Sequence, residues 1–298
     1  MARATRQIWL LAALTWLVLA APLSAEHWPQ WRGPAGTGAS TEVRLPETWG
    51  EGRNIAWRTR LGGVGVSSPV VWGDRVFATS QSGRGDSRRG PRLGQGGEAS
   101  SAERSLEGAA GGERGVRFLI EALNRVDGQR AWTYSLAAEG NLPSVHDKHN
   151  LASASPATDG ERVYAVFGSG QVVAVDMNGK QVWARNLARE HGSFDINWGH
   201  GSSPIIHGNS LIVVAYHESA SYLLAVDKRT GKQLWKRDRP SGILSYSTPI
   251  VVPGPGGDEL IVNASTGVEA YAAATVSRCG TSTSRINSRF RSRCITTE

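Results

Sequence analysis

Short apolar runs separated by turn residues cover most of this chain, and Gly201–Asp238 shows the pattern most clearly. Its apolar positions fall in three runs, at residues 204–206, 211–216 and 222–226, and a fourth segment, 232–236, carries Trp235. The gaps between the runs contain Gly, Asn, Asp and Ser, which favour turns. Apolar and β-branched runs of this length are typical of strands and are too short for helices. This stretch is therefore predicted to form four strands.

The same pattern recurs along the chain in four copies. The first copy opens at residues 67–79 and closes at 119–136, the second covers 155–187, the third is Gly201–Asp238, and the fourth begins at Ser247. The recurring markers are a proline near the start of a copy and a tryptophan near its end, at Pro156, Pro204 and Pro249 and at Trp132, Trp183 and Trp235. Equivalent markers in successive copies are 45 to 52 residues apart.

A period of this length with four strands per unit is typical of a β-propeller blade. A blade has two apolar faces and buries them only by packing against neighbouring blades. We therefore predict an all-β fold, a β-propeller of four-stranded blades, with about four blades present in an incomplete ring. The alternative is an all-β sandwich, which requires no internal period of this kind.

The first 25 residues have the features of a secretory signal peptide. Arg3 and Arg6 give a positive start, residues 8–20 are apolar, and Leu23–Ala25 provides small residues for cleavage. We expect the leader to be removed and the mature chain to be exported to the periplasm or the extracellular space, without being integral to the membrane. The alternative is an uncleaved anchor, although the apolar run is shorter than the roughly 20 residues that a membrane span needs.

Residues 26–60 form an N-terminal arm rich in Trp, Pro and Gly. Its four tryptophans are Trp28, Trp31, Trp49 and Trp57. The surrounding prolines and glycines exclude a helix. We expect an extended arm that packs its tryptophans against the propeller, with Ile55–Thr59 as its one strand. The alternative is that these aromatic side chains form a surface on which a ligand stacks.

The propeller repeats are expected within residues 61–275, where one segment interrupts them and another follows them. Residues 81–115 are rich in Gly, Arg, Ser and Glu and lack apolar periodicity, so we expect a disordered loop inserted in the first copy. Residues 276–298 replace the expected Gly-x-x-x-Trp by a Ser-, Thr- and Arg-rich tail with both cysteines, Cys279 and Cys294. We expect a shift of reading frame near residue 275 or a truncation, with a natural disordered tail as the alternative.

The net charge of +7 does not identify a partner. Two leader arginines and a net +4 in residues 276–298 account for most of it, which leaves +1 for residues 26–275. A nucleic-acid-binding protein requires a basic surface, so we expect no nucleic acid partner.

The connection between the third and fourth strands of a copy carries the most specific motif. Ala225–Trp235 matches Ala-x-Asp-x-x-Thr-Gly-x-x-x-Trp at every fixed position, residues 174–183 match with one turn residue fewer, and Asn124 replaces the Asp in the first copy. These segments resemble the PQQ-like (pyrroloquinoline quinone-type) propeller repeat. The opening Trp28–Pro34 is similar to the start of exported bacterial proteins related to the outer-membrane assembly factor BamB. The resemblance covers about residues 28–275 and implies a fold more than a function.

The fixed residues of this repeat have structural roles. The turn glycine supplies a positive φ, the aspartate caps the turn with its side-chain oxygen, and the tryptophan is expected to pack on the adjacent blade. We assign these roles to Asp176, Gly179, Trp183, Asp227, Gly231 and Trp235.

Two polar clusters are the candidates for a functional site. His146 and His149 precede the second copy, and Asp195 and His200 precede the third. Both clusters fall in loops that lead into a first strand, so we expect them on one rim of the ring, where they would form a ligand or metal site. The alternative is that they satisfy buried loop backbone. The isolated histidines His191, His207 and His217 carry no functional prediction.

The resemblance also raises the question of a quinoprotein dehydrogenase, which would bind PQQ and calcium and use a carboxylate base. Such enzymes are longer and commonly carry adjacent cysteines, and the chain has no Cys-Cys pair. It also lacks the usual motifs of metalloproteases, P-loop proteins and hydrolases. We assign no catalytic residue and expect neither PQQ nor calcium.

We therefore expect an exported, non-catalytic binding or scaffold module whose rim contacts a protein, such as an envelope protein, or a small ligand. Two alternatives stay open. One is a fragment of a PQQ-dependent quinoprotein oxidoreductase that acts on alcohols or sugars. The other is a BamB-like factor for outer-membrane protein assembly, which presents a strand edge to its partners.

Overall fold

The computed structural model describes residues 26–43, 45–83, 87–88, 115–146 and 148–282. The strands of this part of the chain are β1 (Val70–Trp72), β2 (Arg75–Ser82), β3 (Ser87–Arg88), β4 (Arg117–Asn124), β5 (Arg130–Ala137), β6 (Val145–His146), β7 (Ala157–Thr158), β8 (Arg162–Val166), β9 (Gln171–Asp176), β10 (Gln181–Asn186), β11 (Ile205–His207), β12 (Ser210–Tyr216), β13 (Ser221–Asp227), β14 (Gln233–Arg239), β15 (Ile250–Gly254), β16 (Gly257–Ala264), β17 (Gly267–Ala272) and β18 (Arg278–Ser282). A short helix, α1 (Leu187–His191), follows β10.

Four antiparallel sheets of four strands make up the fold. Their strand orders are β1-β2-β4-β5, β7-β8-β9-β10, β11-β12-β13-β14 and β15-β16-β17-β18, and we refer to them as blades 1 to 4. The short strands β3 and β6 pair in parallel outside the blades. This architecture confirms the predicted all-β class and agrees with an incomplete β-propeller of four blades. The four strand segments predicted in Gly201–Asp238 overlap the four strands of blade 3.

Buried apolar side chains form three layers, one between each pair of neighbouring blades. Strand β12 shows how a central blade serves two layers. Leu211 and Val213 pack in the layer with blade 2. Ile212 and Val214 pack in the layer with blade 4. Successive side chains of a strand point to opposite faces of its sheet, so a strand buried on both faces has a continuous apolar sequence.

A tryptophan on one blade packs on the turn between the third and fourth strands of the next. In blade 3 this turn is Asp227–Gly231, and Gly231 has a φ of 72°. A Cβ at Gly231 would lie 2.8 Å from the ring of Trp183, whose Nε1 donates to the Lys228 carbonyl at 3.0 Å. The same pair of contacts joins Trp132 to Met177 and Gly179, and Trp57 to Arg125 and Gly128. The turn glycine is thus needed both for its φ and for the close approach of an indole ring.

A second set of inter-blade contacts lies at the inner strands. In blades 1 to 3, the residue before the opening proline donates its backbone N–H to a hydroxyl on the next blade. These bonds run from Ser68 to Ser155, from Ser155 to Ser203 and from Ser203 to Thr248, each at 2.9 Å. The recurrence of Ser-Pro or Thr-Pro in the sequence therefore reflects inter-blade hydrogen bonding.

The N-terminal arm runs across the inner strands of all four blades. Its contacts, in blade order, are Trp28 with Val71, Pro29 with Thr158, Gln30 with Ile206 and Gly36 with Ile250. Trp28 and Val71 exchange two backbone hydrogen bonds, at 2.8 and 2.9 Å. The arm is thus held by main-chain and side-chain contacts along its length.

The strand expected at Ile55–Thr59 is wrong, because this segment is not in a sheet. Side chains hold it in place of a hydrogen-bonded ladder. Trp57 Nε1 donates to the Arg125 carbonyl at 2.9 Å, and Thr59 Oγ1 donates to the Gly128 carbonyl at 2.7 Å. The segment therefore contacts blade 1 in the way that a tryptophan of a preceding blade would.

The structure also differs from the expected segment boundaries. Gln81 and Ser82 lie in β2, paired with Phe118 and Arg117, so the regular sheet continues into the segment expected to be a loop. Strand β18 continues blade 4 beyond Thr275. The signal peptide (1–25), most of the inserted loop (84–86 and 89–114) and the end of the tail (283–298) lie outside the described residues. Among the residues that are described, no helix has the length and apolar character that a membrane crossing requires.

Candidate functional site

Loops that lead into the inner strands of blades 2, 3 and 4 meet at one rim. His146 stacks on Trp198, with ring centroids 4.5 Å apart and an interplanar angle of 14°. The Trp198 backbone N–H donates to the Tyr246 hydroxyl at 3.3 Å. Trp198 remains 40% exposed and Tyr246 42% exposed. We refer to His146, Trp198 and Tyr246 as the rim patch.

His149 lies beneath this patch and supports the loop that carries Trp198. Its Nδ1 is 3.2 Å from the Ser153 hydroxyl. A Cβ at Gly199 would be 2.7 Å from His149 Nδ1, and Gly199 has a φ of 94°. A side chain at Gly199 would therefore displace the His149 ring. Burial lowers the pKa of His149, and neighbouring His146 acts in the same direction, which favours the neutral imidazole.

His200 and His217 form a buried pair at the base of the same loop. His200 Nδ1 and His217 Nε2 are 3.1 Å apart, so one ring donates and the other accepts. Burial, together with His217 and His149, holds the pKa of His200 well below its ordinary value. Burial lowers the pKa of His217 to about 4, although Asp195 acts in the opposite direction. Both rings are therefore neutral at pH 7.

Asp195 connects the loop to the β12–β13 connection. Its Oδ1 accepts from the Ser219 backbone N–H, and its backbone carbonyl accepts from the Glu218 N–H, both at 3.2 Å. Phe194 lies 4.5 Å from the His217 ring centroid. The loop that presents Trp198 is thus fixed at both its ends.

The predicted site residues lie together around one loop, but they make different contacts. His146 contacts the exposed aromatic ring, and His149 and His200 support the loop from inside. The charge of Asp195 acts on the pKa of His217. In the sequence, His217 is an isolated histidine in a turn and carried no functional prediction. Within the described residues, no three His, Cys, Asp or Glu side chains are arranged to hold a metal ion.

A cavity of about 750 Å³ lies beside the rim patch, between the arm and the inner strands. Trp31 and Arg32 line it from the arm, and Tyr246 lines it from the loop before blade 4. The only described carboxylate in its lining is Asp258, which lies 3.5 Å from His207 Nε2. Neither Tyr246 nor this cavity was identified from the sequence, because the spacing of a repeat does not reveal which loops meet.

The residues of this cavity do not fit PQQ with calcium. PQQ is a polycarboxylate, which favours several cationic side chains, and Arg32 is the only lysine or arginine among the described lining residues. Calcium takes six to eight oxygen ligands, often from several carboxylates, and Asp258 is the only carboxylate among the described lining residues.

Comparison with known proteins supports the fold. A family model described as outer membrane protein assembly factor BamB matches residues 49–275. BamB from Moraxella catarrhalis is 17% identical with a TM-score of 0.47, covering 76% of this chain and 54% of that structure. Quinohemoprotein alcohol dehydrogenase from Comamonas testosteroni is 13% identical with a TM-score of 0.53, covering 89% of this chain and 42% of that structure. The chain thus spans about half of each structure's length. A search of curated proteins gives no match.

Proposed function

The chain belongs to the family of outer membrane protein assembly factor BamB, and from this membership we propose that it is an exported, non-catalytic scaffold that binds a protein partner in the bacterial cell envelope. The rim patch is the surface that we assign to this partner. Solved structures of low identity support only the fold, so the type of partner is inferred from the exposed side chains of the rim patch.

Exposed aromatic rings are the observation that carries this proposal. Trp198 and Tyr246 expose 40% and 42% of their surface side by side on one rim. Tryptophan and tyrosine are enriched among the residues that contribute most to protein–protein binding, because they bury a large area at a low cost in side-chain entropy. The rim patch would therefore form the centre of the interface.

The rigidity of the loop also favours binding. Trp198 stacks on His146, and its loop is held by Asp195 and by the His200–His217 pair. A surface that is already ordered loses less conformational entropy when a partner binds. The buried histidines have structural contacts that explain them without a catalytic role.

Capture from envelope extract tests this proposal. The immobilised exported chain, residues 26–298, should retain a specific envelope protein, and Trp198→Ala should reduce the retained amount by at least about tenfold. Val126→Ala is the matched control, because Val126 is exposed in the turn between β4 and β5 and should leave capture unchanged.

A quinone-linked dye assay tests the non-catalytic part. With added PQQ and calcium, the protein should not reduce dye in the presence of alcohols or sugars. Sustained reduction, or equal capture by the Trp198→Ala and unchanged chains, would contradict the proposal.

A further inference from the structure

The cavity between the arm and the inner strands has the size of a small-molecule site. Its volume is about 750 Å³, and pockets for small ligands span about 300–1,000 Å³. The arm supplies one part of its lining, and the loops that open blades 2 to 4, the inner strands β11 and β15, and β16 supply most of the rest. Because the arm is fixed to all four blades, the cavity is formed before any ligand binds.

Three hydroxyl groups in its lining have an unused donor. Ser155, Ser203 and Thr248 each accept a backbone N–H from the preceding blade at 2.9 Å. Within the described residues, no acceptor is found for the O–H of any of the three. All three residues line the cavity, and Ser155 and Ser203 are buried. A ligand with several acceptor oxygens would therefore satisfy a row of donors that the inter-blade contacts place one blade apart.

Two aromatic rings line the same cavity and remain partly exposed. Trp31 is 39% exposed on the arm, and Tyr246 is 42% exposed on the loop before blade 4. Indole and phenol rings provide flat apolar surfaces with a polar group at one end. They suit a ligand that has both apolar C–H faces and hydroxyl groups.

The charge of the lining disfavours a polyanionic ligand, and its hydroxyl groups disfavour a purely apolar one. Arg32 and Asp258 are the only permanently charged side chains among the described lining residues, and Arg32 already donates to the Thr37 carbonyl at 3.0 Å. A polyanion would lack cationic partners. A purely apolar ligand would leave the hydroxyl donors buried without acceptors, which costs free energy.

We propose that this cavity binds a neutral saccharide. The sugar hydroxyl and ring oxygens would accept from Ser155, Ser203 and Thr248, and the C–H faces of the sugar rings would pack on Trp31 and Tyr246. This site goes beyond the protein-binding role of the rim patch, since its hydroxyl row and Trp31 belong to the cavity alone.

Isothermal titration calorimetry of the exported chain with maltotriose, cellotriose and N,N′,N″-triacetylchitotriose tests the proposal. At least one of these neutral trisaccharides should bind saturably. Trp31→Ala should weaken that binding by about tenfold, which is a loss of about 1.4 kcal/mol, because it removes the ring on which the sugar packs. Trp49→Ala is the matched control: Trp49 is 65% exposed on the same arm outside the cavity, and its loss should leave the affinity unchanged.

Two further variants distinguish saccharide binding from the other possible outcomes. Trp31→Phe should retain most of the affinity, which separates loss of the ring from disturbance of the arm. Arg32→Gln should change the affinity less than twofold, because the ligand carries no charge. The proposal is overturned if none of the three trisaccharides binds, if Trp31→Ala and Trp49→Ala behave alike, or if only PQQ or citrate binds and Arg32→Gln abolishes that binding.

Discussion

Gly231 and Gly208 lie in the same blade and both have a positive φ, but their surroundings differ. Gly231 has a φ of 72° and lies against the Trp183 ring, whereas Gly208 has a φ of 55° and would have no neighbour within 4 Å of an added Cβ. The two positions therefore separate backbone strain from inter-blade packing.

We predict that Gly231→Ala destabilises the protein more than Gly208→Ala. Each change places an alanine in the left-handed region, at a cost of about 1–2 kcal/mol. Gly231→Ala also forces its methyl group into the Trp183 ring, which should add about 1–3 kcal/mol. Urea denaturation of both variants measures the difference, and equal free energies of unfolding would contradict the packing role of the turn glycine.

The buried His200–His217 pair makes stability depend on pH. Each pKa is lower in the folded state than the ordinary value of about 6.5 expected when unfolded. The unfolded chain therefore binds more protons below that pH, and stability present above about pH 6.5 is lost as the pH falls.

We predict a loss of roughly 3 kcal/mol from His217 alone between pH 6.5 and 4, since its pKa falls to about 4. The double variant His200→Gln/His217→Gln should show a smaller loss over this range, because glutamine does not titrate. His207→Gln, at the end of β11 and outside the buried pair, serves as the control and should keep most of the dependence. Unfolding free energies measured at several pH values would refute the idea if all three proteins lose stability equally.

At the scale of the element, the four blades share one hairpin geometry. The pairing of the third and fourth strands shifts register at the same point in every blade. In blade 3 the shift lies beside Ala225, directly opposite Trp235. In blade 4 the equivalent pair is Ala270 with Gly280, so the strand forms without the tryptophan. Backbone pairing is therefore sufficient for the fourth strand, while the tryptophan serves the contact with the next blade.

Blade 4 also departs from the repeat at its turn. Val276 takes the position that Gly231 has in blade 3, because its N–H donates to the Ala272 carbonyl as that of Gly231 donates to Asp227. Val276 has a φ of 55°, which is unusual for a β-branched residue. Within the described residues, the Trp235 indole forms no hydrogen bond to this turn, in contrast to Trp183.

We therefore predict that Trp183→Phe costs more stability than Trp235→Phe. The first change removes an indole hydrogen bond to the Lys228 carbonyl, which contributes about 1 kcal/mol. It also removes some apolar contact. The second removes no such bond and should cost less than half as much. Chemical denaturation of the two variants checks the order. A larger loss for Trp235→Phe would contradict the weaker contact between Trp235 and the turn of blade 4.

Strands and blades were predictable because they depend on local pattern. The Asp-Gly turn, the Trp and the Pro recur at fixed spacing, so the blades followed from the sequence alone. The rim was only partly predictable. His146 and His200 were found because they precede a first strand, but the stacking of His146 on Trp198 depends on loops 52 residues apart in the chain. The partner of His200, His217, comes from a different connection of blade 3 and has no local signal.

At the scale of the whole molecule, the arm and the blades act as one unit. The arm crosses the inner strands of four blades, and its Trp57 packs on blade 1 as Trp132 packs on blade 2. The two inter-blade contacts, tryptophan on glycine and N–H to hydroxyl, recur from blade to blade and set the loops of one rim side by side. The cavity depends on this repetition through Ser155, Ser203 and Thr248, which hold equivalent positions in successive blades. The residues of the rim patch lie at different distances before the proline that opens their blade.

Site-specific photo-crosslinking in living cells tests whether the rim patch binds an envelope partner. A photoreactive phenylalanine analogue at position 198 keeps an aromatic ring where the loop presents Trp198, and the same analogue at position 126 marks a turn that is 80% exposed in the native chain. We predict a discrete crosslinked adduct with an envelope protein at position 198 and none at position 126. The same adducts at both positions, or no adduct at position 198, would contradict binding of an envelope partner at the rim patch.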